Sequence, residues 1–152
     1  MIRKTCLLTT LASLLSLSAA FSPSHPFAVT RTVKYAPLDM AVIDIASESA
    51  FDSTIKNAGS ALVVVDYSTT WCGPCKVIAP KFEELSEKYP DAVFLKVIGD
   101  ASPEASKLMK REGVRSVPSF HYFVNGEKVD VVNGANAEAI EAAITNHAKL
   151  SS

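Results

Sequence analysis

The six residues Trp71-Cys72-Gly73-Pro74-Cys75-Lys76 constrain this chain most, because they join an apolar run to a helical pattern. The run before them, 61–67, is rich in valine and predicts a buried strand. The apolar spacing after them, 77–89, predicts a helix. A strand that leads through two cysteines into a helix places both thiols at the helix N-terminus. Pro74 suits the first turn of such a helix, where its missing N–H needs no partner.

The placement of the two cysteines predicts dithiol–disulfide exchange. Free backbone N–H groups and the macrodipole at a helix N-terminus favour negative charge, so the pKa of Cys72 should fall below its free value of about 8.5. Cys75 lies one turn further inward and is expected to be the more buried thiol. The spacing lets the pair close a small disulfide ring, and Gly73 is expected to allow the tight approach.

A zinc site is the main alternative for two cysteines at this spacing, because many zinc sites contain the same half-motif. Such a site needs two further ligands. The remaining Cys6, His25, His121 and His147 show no paired spacing. We therefore favour a redox-active Cys72–Cys75 disulfide over zinc or an inert structural pair, with no metal and no further cofactor.

Several motifs of the chain resemble the thioredoxin family and occur in the order found in that family. These motifs are Asp66 to Lys76, Ile78-Ala79-Pro80, Val117-Pro118-Ser119-Phe120, Asn125-Gly126 and Gly134-Ala135. The resemblance runs from about residue 43 to about residue 147. It implies an α/β thioredoxin fold, with a central mixed sheet of about five strands flanked by four helices. It also implies a protein-disulfide reductase.

Local signals predict the remaining elements of a domain over residues 41–152. They are a short edge strand at 41–45, a helix from Ser47 to Gly59, a strand at 92–98, a helix capped by Ser102 and ending at Gly113, two strands at 120–124 and 128–132 around Asn125-Gly126, and a helix at about 137–148. Strands that alternate with helices, followed by a hairpin and a helix, agree with a mixed sheet covered on both faces.

Asp66 ends the apolar strand, so its carboxyl group is expected to be buried with a raised pKa. Capping of the next turn is the alternative. The resemblance makes Asp66 the proton acceptor for Cys75. Lys76 either favours the thiolate or is a solvated surface residue.

The resemblance also implies a cis bond between Val117 and Pro118, set against the disulfide ring. The Val117 backbone would then pair with a target chain as an added strand. Trp71, Gly134 and Ala135 would complete a flat apolar patch around an exposed Cys72.

Three features concern the subtype. Pro74 rather than His between the cysteines favours a reductant. The stretch 94–134 looks closest to the f-type thioredoxins of plastids, although the third cysteine of those proteins is absent near Ala101. The stretch from Cys72 to Pro118 is about two residues longer than is usual in thioredoxins, and the extra residues fall at 98–100. No role is therefore predicted for Asp100.

The N-terminal residues predict a bipartite presequence. Residues 1–20 combine Arg3-Lys4, a short apolar run and a small-residue ending, as in a signal peptide. Residues 21–40 are hydroxyl-rich and almost free of acids, as in a transit peptide, and are expected to be disordered. A plastid location is favoured over the alternative of the endoplasmic reticulum or secretion.

Charge and motif together define the expected partners. Residues 39–152 carry 11 Lys and Arg against 16 Asp and Glu, a net charge of about −5, which argues against nucleic acid. We expect disulfide-bearing target proteins, a ferredoxin- or NADPH-dependent thioredoxin reductase, no membrane in the mature form, and a monomer. The alternatives are a secretory disulfide oxidase or isomerase, against which Pro74 argues, and a non-catalytic binding module. The intact Cys72, Cys75 and Asp66 argue against the binding module.

Overall fold

A computed structural model describes residues 42–149. The described elements are β1 Val42–Asp44, α1 Glu48–Ala58, β2 Val63–Ser68, α2 Gly73–Lys88, β3 Val93–Ile98, α3 Pro103–Arg111, β4 Ser119–Val124, β5 Glu127–Asn133 and α4 Ala137–Ala148. The predicted signal and transit segments lie outside the described residues. Every predicted element is present. Strand β2 starts two residues later than predicted, because the Ala61 N–H closes a turn onto the Ala58 carbonyl at 3.0 Å.

The predicted helix caps are observed. Ser47 caps α1 by accepting the N–H of Ala50 at 3.3 Å, and Ser102 caps α3 by accepting the N–H of Ala105 at 3.0 Å. Gly59, at φ +58°, follows the last turn of α1, in the left-handed region where glycine is favoured.

The five strands form one mixed sheet in the order β1-β3-β2-β4-β5. Strands β1, β3 and β2 are parallel, whereas β4 is antiparallel to β2 and β5 is antiparallel to β4. Asn125 and Gly126 join β4 to β5, with φ of 54° and 82°, as expected for a tight hairpin. The architecture confirms the predicted thioredoxin fold of five strands and four helices.

The helices cover both faces of the sheet. One core lies between the sheet and helices α2 and α4, and includes Val64, Phe82 and Ile144. The other core lies against α1 and α3, and includes Val65 and Leu108. Strand β2 is therefore buried along its whole length. Its end leads directly to the two cysteines, which places them on a rigid support.

Candidate active site

Cys72 and Cys75 are joined by a disulfide at the start of α2, with a Cα–Cα distance of 5.3 Å. Cys72 is the N-cap residue of the helix, and its Sγ accepts the backbone N–H of Cys75 at 3.2 Å. Pro74 lies in the first turn, as predicted. The Cys72 sulfur therefore occupies the place where a helix offers unpaired N–H groups to an anion.

The prediction that Cys72 is exposed while Cys75 is buried is wrong for this disulfide state. Cys72 is 3% exposed and Cys75 is 4% exposed. The Cys72 sulfur lies against the first turn of α2, where it accepts the Cys75 N–H. The two cysteines differ instead in position, since Cys72 lines a surface groove and Cys75 is not among the described residues that line it.

Gly73 does not have the predicted structural purpose. A Cβ atom added at Gly73 would meet no atom within 4 Å, and its backbone is not in the left-handed region. The approach of the two sulfurs therefore does not require glycine at this position. The missing side chain leaves open space beside Cys72.

The groove beside Cys72 has a volume of about 410 Å³. Its lining residues are Thr69, Trp71, Cys72, Gly73, Pro74, Met109, Val114, Arg115, Ser116 and Val117. Trp71 is 74% exposed, so it is a surface residue of this groove and not part of either core. The groove residues of α3 and the loop after it were not anticipated, because no local pattern distinguishes groove residues from their neighbours in a helix or a loop. They are Met109, Val114, Arg115 and Ser116.

The peptide bond between Val117 and Pro118 is cis, as the resemblance implied. Pro118 is buried, and its carbonyl accepts the N–H of Gly134 at 2.9 Å. Gly134 has φ +90°, which explains glycine there. Neither Gly134 nor Ala135 is among the described groove residues. The predicted patch therefore includes Trp71. Gly134 contacts the cis-proline loop through its hydrogen bond to Pro118 instead of lining the groove.

Asp66 lies in β2 and is 1% exposed. Alternation along the strand puts its side chain on the same face as Val64, which packs in the core of α2 and α4. Its Oδ1 has no hydrogen-bond partner among the described residues. Burial raises the pKa of Asp66 to about 7, against the opposing charge of Lys96 on the adjacent strand. The predicted burial and raised pKa are both observed.

Asp100 has a place in the site that the sequence reasoning missed. Its carboxylate accepts the backbone N–H of Thr70 at 2.9 and 3.1 Å and also accepts the Thr70 hydroxyl. These hydrogen bonds hold the pKa of Asp100 below its usual value. Strands β2 and β3 are parallel, so their carboxyl ends meet at one edge of the sheet. That rule could have placed Asp100 beside Thr70.

Within residues 42–149, no group of three or more His, Cys, Asp and Glu side chains could hold a metal ion. No helix of this part of the chain is long and apolar enough to cross a membrane.

Comparison with models of protein families matches residues 42–146 to the family described as Thioredoxin. This chain is a member of the thioredoxin family. Its closed cysteine pair at a helix N-terminus is that of a dithiol–disulfide oxidoreductase.

Similar proteins agree with membership of the thioredoxin family. Thioredoxin of Equus caballus is 48% identical over 103 residues, which cover 68% of this chain and 95% of the horse protein. Thioredoxin f from spinach chloroplast, in its short form, is 38% identical with a TM-score of 0.65, covering 70% of this chain and 92% of that one. The similarity to f-type thioredoxins, noted in the sequence, is therefore also found among solved structures.

A crystal structure of ferredoxin:thioredoxin reductase and thioredoxin f2 in complex is also similar. The matching chain of that structure is 43% identical with a TM-score of 0.65, and the match covers 69% of this chain and 93% of that chain.

Proposed function

We propose that this thioredoxin reduces disulfides of other proteins, with Cys72 as the nucleophile and Cys75 as the resolving thiol. The carrying observation is that the Cys72 sulfur lies at the N-terminus of α2 and also borders the groove. In the reduced protein, the N–H of Cys75 and the helix dipole stabilise the Cys72 thiolate. The thiolate is the reactive form in disulfide exchange.

The reaction proceeds through a mixed disulfide. The Cys72 thiolate attacks one sulfur of the target disulfide, a bond forms between them, and the other target sulfur leaves as a thiolate that takes up a proton. Cys75 then loses its proton and attacks the Cys72 sulfur, which releases the second target thiolate. The target gains two electrons, and the chain returns to the Cys72–Cys75 disulfide. This needs no metal and no cofactor besides the cysteine pair.

Asp66 is proposed as the proton acceptor for Cys75. A carboxyl group with a pKa of about 7 exchanges protons readily near neutral pH. Its burial on the face of the sheet that packs against α2 places it beneath the helix that carries Cys75. Water can complete the proton path.

The groove is proposed to hold the target chain in an extended conformation. Pro118 has no backbone N–H, so the polar main chain offered to a target comes from Val117, and Gly134 holds this loop in place. Trp71 supplies apolar contact area. Gly73 leaves space for a close approach, and Pro74 fixes the first turn beside the attacking sulfur.

Insulin reduction tests this function, with dithiothreitol as the electron source and the full chain as the catalyst. We expect turnover by the wild type and loss of turnover, to the dithiothreitol background, in Cys72→Ser. Cys75→Ser should accumulate a mixed disulfide that denaturing electrophoresis resolves. Equal turnover by the wild type and Cys72→Ser would disprove the assignment.

We further propose that the chain acts in a plastid and receives electrons from a ferredoxin-dependent reductase. Two observations support this. The presequence combines a signal-like segment at 1–20 with an acid-poor segment at 21–40, ahead of the domain at 41–152. A similar structure contains thioredoxin f2 with ferredoxin:thioredoxin reductase.

A reporter fused to residues 1–40 tests the location in an alga with a secondary plastid. The full presequence should direct the reporter to the plastid, and deletion of residues 21–40 should leave it in the secretory pathway. Secretion of the reporter by the intact presequence would refute the plastid assignment. Reduction of the purified chain by ferredoxin-dependent and NADPH-dependent reductases, compared side by side, tests the electron donor.

A further inference from the structure

Arg115 is the only charged residue among the ten described residues that line the groove beside Cys72. Its side chain is exposed and makes no ion pair with any described residue. The other lining residues are uncharged, and several of them are apolar, for example Trp71, Met109 and Val114. The groove therefore presents one positive charge, although residues 39–152 carry a net charge of about −5.

Arg111, four residues earlier, differs from Arg115 because it forms ion pairs within the domain. Its guanidinium lies 2.7 Å from an oxygen of Asp52, 3.1 Å from Glu112 and 3.4 Å from Glu48. Those carboxylates occupy its hydrogen-bonding positions within the fold. Arg115 has no such partners in residues 42–149, so its planar set of donors is open to a ligand from outside the chain.

We propose that Arg115 selects target disulfides that have an aspartate or glutamate within about three residues of the attacked cysteine. The inference rests on the proposed function, in which a target chain pairs with Val117. Arg115 lies two residues before Val117 and lines the same groove, so a chain held there passes the guanidinium. An extended chain advances by about 3.3 Å per residue. Arginine binds a carboxylate with two parallel hydrogen bonds.

Three cyclic disulfide peptides test the proposal. They share one sequence, except that the residues two before and two after the cysteine pair are both Glu, both Gln or both Lys. The full chain is reduced beforehand, and the second-order rate constant for each peptide is followed through protein fluorescence. The variants are Arg115→Gln, Arg115→Glu and the matched control Lys110→Gln, which removes an exposed positive charge outside the groove.

We expect the wild type to prefer the Glu peptide over the Gln peptide by about three-fold and over the Lys peptide by about ten-fold. Arg115→Gln should bring both ratios close to one, and Arg115→Glu should reverse them. Lys110→Gln should keep the wild-type ratios. Salt at about 0.5 M should reduce the wild-type preference by screening.

Equal rates of the wild type with all three peptides would overturn the inference, as would an unchanged preference in Arg115→Gln. Either result would leave the proposed function intact, because the peptides are still reduced. If no peptide reacts faster with the wild type than with Cys72→Ser, the proposed function fails and this inference fails with it.

Discussion

Asp66 and Tyr67 are neighbours in β2, and strand alternation sends their side chains to opposite faces of the sheet. Burial raises the pKa of Asp66 to about 7. On the other face, Tyr67 lies against His121, with 4.6 Å between ring centroids, and burial lowers the pKa of His121 to about 4. Removal from water favours the uncharged form in both cases. A single residue of register decides which core each group enters.

Asp66→Asn is expected to raise the free energy of unfolding of the disulfide form, and to raise it more at higher pH. The pKa of Asp66 is about 7 in the folded chain, against 3.8 for an unperturbed aspartate. Protonated Asp66 therefore favours the folded state at low pH, and this contribution is lost as pH rises from about 4 to 7. We expect a gain of roughly 2–4 kcal/mol above pH 7.

Denaturant titrations of wild type and variant between pH 4 and pH 8 measure this difference. His121 titrates in part of the same range with the opposite sign, because its lowered pKa removes stability as pH falls through about 4. Both proteins contain His121, so its effect cancels in the comparison. Asp91→Asn, at an exposed position, is the matched control. A stability difference that does not change with pH would contradict the prediction.

At the scale of elements, the predictions that succeeded depended on local chemistry. Ser47 and Ser102 cap helices, and Asn125-Gly126 turns a hairpin, through contacts within a few residues of themselves. The part played by Asp100 was not predicted, because it depends on the alignment of β2 with β3, which are separate elements. The low exposure of Cys72 was missed for a different reason, since it depends on how the sulfur packs on the first turn of α2.

The hydrogen bonds between Asp100 and Thr70 join the ends of β2 and β3 ahead of the cysteines. We expect Asp100→Ala to speed hydrogen exchange of the Thr70 amide by about ten-fold or more, because the amide loses its acceptor. Reduction of target peptides should slow by about two- to five-fold, since Trp71 and Cys72 follow this loop. Asp100→Asn keeps one acceptor oxygen, so its Thr70 exchange rate and its peptide reduction rate should lie between those of the wild type and Asp100→Ala. Unchanged Thr70 exchange in the alanine variant would be inconsistent with this link.

Gly99 marks a close contact between the end of β3 and α3. A Cβ atom there would lie 1.8 Å from the Met109 sulfur, so Gly99→Ala must displace the Met109 side chain. We expect a loss of about 1–2 kcal/mol in the free energy of unfolding, limited by the flexibility of methionine.

Gly73→Ala is the matched control for this substitution, because its Cβ meets no atom within 4 Å, and its stability should stay close to wild type. Denaturant unfolding compares the two variants, and a combined Gly99→Ala and Met109→Ala variant should recover part of the loss. The account fails if Gly99→Ala is as stable as Gly73→Ala.

At the scale of the whole molecule, Arg111 connects two helices that are distant in sequence. It joins the end of α3 to Glu48 and Asp52 of α1, and its guanidinium lies 5.5 Å from the centre of the Phe51 ring. No local pattern in the sequence indicates this pairing, which exists because α1 and α3 pack on the same face of the sheet.

Arg111→Gln should lower the free energy of unfolding by about 1 kcal/mol at low ionic strength and by less at high salt, because the ion pairs are partly exposed. Arg115→Gln removes the same charge without a described partner and should leave stability unchanged. Thermal unfolding at two salt concentrations measures both variants. Equal destabilisation by the two substitutions would show that Arg111 acts through net charge alone.

The two walls of the groove come from separate parts of the chain. Residues 71–74 follow β2 and carry the reactive sulfur, whereas residues 109–117 come from the end of α3 and the loop that follows it. Duplicated genes can therefore diverge in the second segment and acquire different client proteins, while the redox centre is inherited unchanged. A protein engineer can use the same division by transplanting residues 109–117 from one family member into another to exchange their clients.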